Sequence, residues 1–205
     1  MISKRDIPGA LLVLLKNLRC RFFSQHSLVF GINASDLLQK KFPGEIADYQ
    51  LKEINAWNMV DETMKQTFAA NKEDIWWDTE SMLKKGSCLW IGYLKGKTAC
   101  ILWTTNGDRM DSYFFPLTPQ CVVISHCATL KPYRGLGLYP ASLVYLTKIL
   151  ASRNIERFYI HCTDWNVPSI KGIKRAGFNL LGRGIATKKN RLSWYPNKNS
   201  QQNVK

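Results

Sequence analysis

Acidic residues are scarce in this chain: 15 Asp and Glu stand against 29 Lys and Arg in 205 residues, a net charge of +14. A surplus of that size speaks about partners rather than fold, favouring polyphosphates, nucleic acid, acidic substrates or acidic membrane surfaces without choosing among them. Long apolar runs are also missing. The best of them, residues 10–15, is too short to span a bilayer, and Asp6 before it and the lack of an A-x-A-like site after it make it a poor signal-peptide core. The expectation is a cytoplasmic protein with no transmembrane segment. The six cysteines, Cys20, Cys88, Cys100, Cys121, Cys127 and Cys162, contain no C-x-x-C pair, and none of the three histidines stands at metal-ligand spacing. Reduced packing thiols and no metal site are expected.

What is present suffices for one domain with a core: 45% of residues are apolar and 12% aromatic. Residues 1–26 read as an amphipathic helical extension, with Leu11, Leu12, Leu14, Leu15 and Leu18 on one side and Lys16, Arg19 and Arg21 around them. Such a helix docks on the domain, on a partner or on a membrane surface. Residues 27–32 have strand composition and 33–36 read as a turn. Leu51, Ile54, Trp57, Val60, Met64 and Phe68 recur every three or four residues, which predicts one long helix. Ile75-Trp76-Trp77 then precede a short helix closed by Lys84-Lys85-Gly86; the two tryptophans read as packing residues. Residues 87–94 and 98–105 form a hairpin across Lys95-Gly96-Lys97. The domain is expected to span residues 27–187, and residues 188–205 to be a polar, flexible tail.

The chemistry concentrates later. An apolar strand, residues 121–130, runs into Arg134-Gly135-Leu136-Gly137-Leu138-Tyr139-Pro140, and a helical pattern follows over 138–151. Two glycines at a strand-to-helix turn uncover backbone amides where the helix aims its free N–H groups and positive dipole end, which makes an anion cradle. Pro140 in the third glycine place argues against a dinucleotide fingerprint, and no Gly-Lys-Ser/Thr follows the turn to make a P-loop. The next strand, 158–162, is separated by a helix and is therefore a parallel neighbour with a right-handed crossover. Asp164-Trp165-Asn166 then opens a short helix that Gly177-Phe178 closes.

This order of elements, with Tyr133-Arg134-Gly135-Leu136-Gly137 followed by Asn166-Val167-Pro168-Ser169 and Ala176-Gly177-Phe178, resembles the GCN5-related N-acetyltransferase (GNAT) superfamily, in its R-G-x-G-x-Y subset. The resemblance implies an α/β (α+β) GNAT fold: a mixed central sheet with an antiparallel meander, a splayed parallel strand pair at the cofactor cleft, and helices on both faces. It further implies acetyl-CoA or another acyl-CoA as cofactor and a primary amine as acceptor, acetylated by direct attack. Carried over residue by residue, the pyrophosphate would sit on Arg134, Gly135, Leu136, Gly137, Leu138 and Tyr139. Thr129 and Leu130 would offer strand backbone to the thioester and pantetheine, and Asn166 and Ser169 would contact the pantetheine end. Two departures stand out. Tyr139 replaces the usual Gly or Ala, and Ile173 takes the place of a tyrosine proposed to protonate the departing thiolate.

The strand 121–130 contains no carboxylate. His126 is its most chemical side chain, with a pKa range suited to proton transfer, although strict alternation sets it on the face opposite Ser125, Cys127 and Thr129 unless a bulge intervenes. His161 and Asp164, at the end of the next strand, are the other catalytic candidates, and Cys127 as an acyl carrier is a weaker one. The resemblance also implies that Arg109, Asp111 and Tyr113, in the segment before this strand, line the acceptor, although a solvated loop is the alternative reading. The net charge makes an anionic acceptor plausible. The rival readings are an O-acyl or aminoacyl transferase on the same scaffold, or a basic module binding nucleic acid or acidic partners through a degenerate cleft.

Overall fold

A computed structural model describes residues 25–39, 46–186 and 192–197. Eight strands form one sheet: β1 (Gln25–Asn33), β2 (Tyr49–Ile54), β3 (Cys88–Leu94), β4 (Lys97–Asn106), β5 (Cys121–Thr129), β6 (Arg157–Thr163), β7 (Asn179–Ala186) and β8 (Leu192–Pro196). Their spatial order is β2-β3-β4-β5-β6-β1-β7-β8. Among the described residues five helices accompany them: α1 (Ala34–Gln39), α2 (Glu62–Ala70), α3 (Thr79–Lys84), α4 (Leu138–Ala151) and α5 (Val167–Arg175). Every pairing is antiparallel except β5 with β6. This is the expected mixed sheet: a meander of β2 to β5, then a parallel pair with α4 as the crossover.

Local chemistry explains most boundaries. The β3–β4 hairpin turns on Lys95 and Gly96, both left-handed at φ 50° and 74°, as a tight two-residue hairpin requires. Asp61 and Asp78 cap α2 and α3 by accepting from the Met64 and Ser81 amides. Asn166 caps α5 in the same way, and left-handed Gly177 ends it.

Four expectations need correction or lie outside the described residues. The long helix predicted over 51–68 is a strand, a single 3-10 turn at Trp57–Met59 and then α2; Leu51 and Ile54, three residues apart, pack on opposite faces of β2, and with both faces apolar their spacing reads as helical. The turn read at 33–36 opens α1, with the Asn33 side-chain Nδ2 donating to Asp36 Oδ2. Part of the predicted flexible tail is β8, laid antiparallel on β7. The N-terminal helix predicted over residues 1–26 lies outside the described residues as far as residue 24, and its last two residues, Gln25 and His26, begin β1.

Three apolar clusters hold the sheet. One face carries α1, α4 and α5 over Phe30, Trp90, Leu102, Val122, Ile124, Phe158 and Ile160. The other carries α2 and α3 over Ile54, Leu89, Ile91, Ile101 and Trp103. Beside that second cluster, Phe115 and its aromatic neighbours pack on Val29, Val123, Tyr159 and Leu181. The faces matter because β5 switches sides between them.

Candidate active site

The parallel register of β5 and β6 runs from Cys121↔Arg157 to Ile124↔Ile160 and stops. Beyond Ile124 the two strands separate, so the edge of β5 that faced β6 has no ladder partner over residues 125–129 among the described residues. The gap leads into an open cleft of about 600 Å³, lined by Cys127, Ala128 and Thr129 on one wall and by Asn166, Ser169 and Gly172 on the other. Arg134, Gly135, Gly137, Leu138 and Tyr139 line its far end.

That far end is the glycine turn. Gly135 and Gly137 are left-handed at φ 83° and 74°, conformations that L side chains rarely adopt. A Cβ built on either meets no atom within 4 Å, so the space above both is open. Gly137 is the N-cap of α4 and offers no side-chain cap, so the first-turn amides are left for an outside acceptor. Lys171 and Arg175 add positive charge from α5. The turn therefore fits a polyphosphate in both shape and charge.

At the near end β5 carries a bulge. Trp103 pairs with Ser125 but Ile101 pairs with Ala128, so β5 has one residue more than β4 over that interval. The extra residue is at His126, whose φ of 45° is left-handed. The parity flips there: Cys127 joins the cluster under α4, whereas His126 turns to the opposite face. Its ring lies 5.5 Å from Trp76 and 5.4 Å from Trp77, and its Nδ1 is 3.0 Å from Ser125 Oγ. Partial burial lowers its pKa, so the ring is neutral near pH 7.

His161 sits on the same face behind it, against Tyr113 and Phe114 at 5.8 and 5.4 Å. Burial, and secondarily the charge of His126, hold its pKa down to about 4. Its Nδ1 and the Tyr113 hydroxyl are buried without a hydrogen-bond partner among the described residues. Asp164 is not brought to this cluster; it is exposed in the turn after β6, with its amide donating to His26 O. Of the predicted lining residues, Arg109 donates to Gly86 O and Asp111 is exposed.

The backbone expected to meet the thioester is partly engaged. The Leu130 amide donates to Ala99 O, and Thr129 O accepts from Arg134 Nε. Asn166 Oδ1 accepts from the Ser169 amide.

Tyr139 is the residue the sequence placed in doubt. Its ring lies over Gly172, where a Cβ would come within 2.4 Å of it. Its hydroxyl is 3.3 Å from Ser169 Oγ and interacts with the Cys127 thiol. The ring is thus turned away from the phosphate end, toward the centre of the cleft. Burial raises its pKa well above 10, keeping it protonated, and burial pushes the Cys127 thiol up to about 12, which suits packing rather than nucleophilic attack. Ile173 is fully buried in the core.

Sequence reasoning missed the acidic residues at the cradle. Asp74 Oδ1 accepts from Arg134 Nη2 at 2.6 Å, and Glu73 Oε2 accepts from Lys131 Nζ at 2.7 Å. No pattern at 71–78 announced these contacts, which join segments far apart in the chain.

No curated protein matches the chain in sequence. Solved structures match it in fold. An acetyltransferase of the GNAT family from Colwellia psychrerythraea is 19% identical with a TM-score of 0.55, over 90% of this chain and 62% of that one. A putative GNAT-family acetyltransferase from Novosphingobium aromaticivorans is 18% identical with a TM-score of 0.53, over 79% of this chain and 62% of that one. A GCN5-related N-acetyltransferase from Kribbella flavida is 14% identical with a TM-score of 0.52, over 87% and 62%. The chain thus spans about 62% of the length of each of these structures. Among the described residues no helix is long and apolar enough to cross a membrane. The sequence model of the acetyltransferase (GNAT) family matches residues 50–178, well over half of the chain, and the chain belongs to that family.

Proposed function

We propose that the protein transfers an acetyl group from acetyl-CoA to a primary amine by direct attack, with both substrates bound at once. One observation carries this reading: the parting of β5 and β6 opens a cleft with an anion cradle at one end, and a neutral histidine, His126, adjoins its lining residues Cys127 in sequence and Trp76 in space. When bound, acetyl-CoA supplies an acetyl group as a thioester, open to attack by an amine.

The chain's own groups divide the remaining work. Amides of residues 135–139 and the α4 N-terminus hold the pyrophosphate, with Lys171 and Arg175 nearby. The unpaired edge of β5 orients the pantetheine and polarises the thioester carbonyl; Leu130 drops out of this set because its amide is already donated. Asn166 and Ser169 guide the pantetheine end from the opposite wall. With Nδ1–H donating to Ser125 Oγ, His126 keeps a basic Nε2 that takes the proton of the attacking amine. The Tyr139 hydroxyl, protonated at neutral pH, donates a hydrogen bond to the leaving sulfur, and the thiolate takes its proton from solvent, since Ile173 cannot supply one.

The test is release of CoA thiol from acetyl-CoA with a panel of primary amines. The reading predicts amine-dependent release that falls in Tyr139→Phe, with the KM for acetyl-CoA little changed. Hydrolysis alone, indifferent to every amine, would contradict it.

A further inference from the structure

Residues 71–78, between α2 and α3, touch both ends of the cleft. Glu73 and Asp74 reach Lys131 and Arg134 across 58 and 60 residues of sequence, at 2.7 and 2.6 Å. Two residues further on, Trp76 and Trp77 pack on the His126 ring. One short segment therefore links cations beside the cradle to the residue at its reactive end.

The segment is fixed at its ends, where Asn71 Nδ2 donates to Thr67 O and Asp78 caps α3, and between them it is held by Ile75 and by Trp77, which packs on the second core cluster. Ile75 is buried in the second core cluster, and the Asp74 and Ile75 amides both donate to Asn71 O at 2.9 Å. Trp76, by contrast, is 74% exposed, and the Trp77 indole N–H is buried without a partner. Lys131 and Glu73 are largely exposed as well, so their pair is weakly held, while Asp74, with its side chain 16% exposed, is the firmer of the two acids.

We infer that residues 71–78 form a strap released by the cofactor: Glu73 and Asp74 hold the cations that the cofactor's phosphates would otherwise engage, and their displacement lifts Trp76 and Trp77 from His126. A carboxylate brings one negative charge, whereas a pyrophosphate brings more and also finds the α4 amides, so the exchange favours the phosphates. The coupling is reciprocal: what the acids cost phosphate binding, bound phosphate costs the strap. The acceptor then reaches His126 only after the cofactor is in place, which orders the two substrates. This rests on the acyl-CoA reading of the cleft.

CoA binding by the full chain tests the strap without any acceptor. Calorimetric titration with CoA is expected to give Asp74→Asn a Kd lower than wild type by roughly 3–10-fold and Glu73→Gln one lower by roughly 2-fold. Tryptophan emission is expected to change on CoA addition, and the change to be lost when Trp76→Phe and Trp77→Phe are combined. Unchanged or weaker binding in both acid variants means that the acids orient Lys131 and Arg134 for phosphate and overturns the strap alone, as does an emission change that survives the double substitution. Failure of wild type and variants alike to bind CoA at millimolar concentration overturns the acyl-CoA reading and the strap with it.

Discussion

His126 holds its ring in place with a backbone conformation that ordinary residues avoid, and the bulge that imposes it is what turns the ring toward Trp76 and Trp77. The sequence showed a histidine on a strand without carboxylates, but not its face, since one inserted residue reverses the parity of everything after it. Asn tolerates the same left-handed conformation, so His126→Asn keeps the backbone and removes the base. We expect kcat to fall by about 10²–10⁴-fold. Because the pKa of His126 is lowered, the acid limb of the wild-type rate profile should lie below the ordinary histidine value and should vanish in the variant. His161 makes a separate prediction about stability. Its folded pKa, about 4, lies below the ordinary 6.5, so between those values the unfolded chain binds a proton that the folded one refuses. Stability contributed by neutral His161 is complete above pH 6.5 and is lost as pH falls toward 4, by at most about 3 kcal/mol. Urea titrations across this range should show the loss, and His161→Phe should flatten it.

Elements with local signals were legible, and those set by partners were not. The span of α4 was read correctly because apolar periodicity begins right after the glycine turn, and the β3–β4 hairpin because Lys95-Gly96 is turn chemistry. The strand β2 was mistaken for helix because Leu51 and Ile54 continue the spacing of α2, and only pairing with β3 decides the matter. The seat of Tyr139 was illegible for a related reason. It depends on Gly172, one element away, lacking a side chain where the ring must lie. Gly172→Ala should therefore drive a methyl into that ring and destabilise the protein by about 1–3 kcal/mol, measurable by chemical denaturation.

On the scale of the whole molecule, the sheet closes around a strand that lies outside the family match. The strand β1 lies between β6 and β7 and pairs with both, whereas the matched segment is residues 50–178. Nothing in residues 25–33 announces a central position, because it is fixed by pairing with segments more than a hundred residues away. A fragment of residues 46–186 should fail to give a cooperative unfolding transition, since both neighbours of β1 lose their ladder. Removing β8, an edge strand, should be tolerated far better. The surplus of cations fits a polyphosphate ligand, yet the phosphate site itself is mostly backbone: two left-handed glycines and a helix end.

Acyl-CoA binding at that glycine turn is the central claim, and a thermal shift tests it most directly. At about 100 times its Kd, CoA should stabilise the wild-type protein by about 2.7 kcal/mol, raising Tm by roughly 5–10 °C. Gly137→Glu puts a carboxylate in the cradle and should abolish the shift. Gly96→Glu has the same left-handed φ of 74°, the same open surroundings and the same added charge, but lies in the β3–β4 hairpin, and should retain it. Loss of the shift in Gly137→Glu alone is the predicted result; an equal shift in all three proteins, or none in the wild type, would contradict the account.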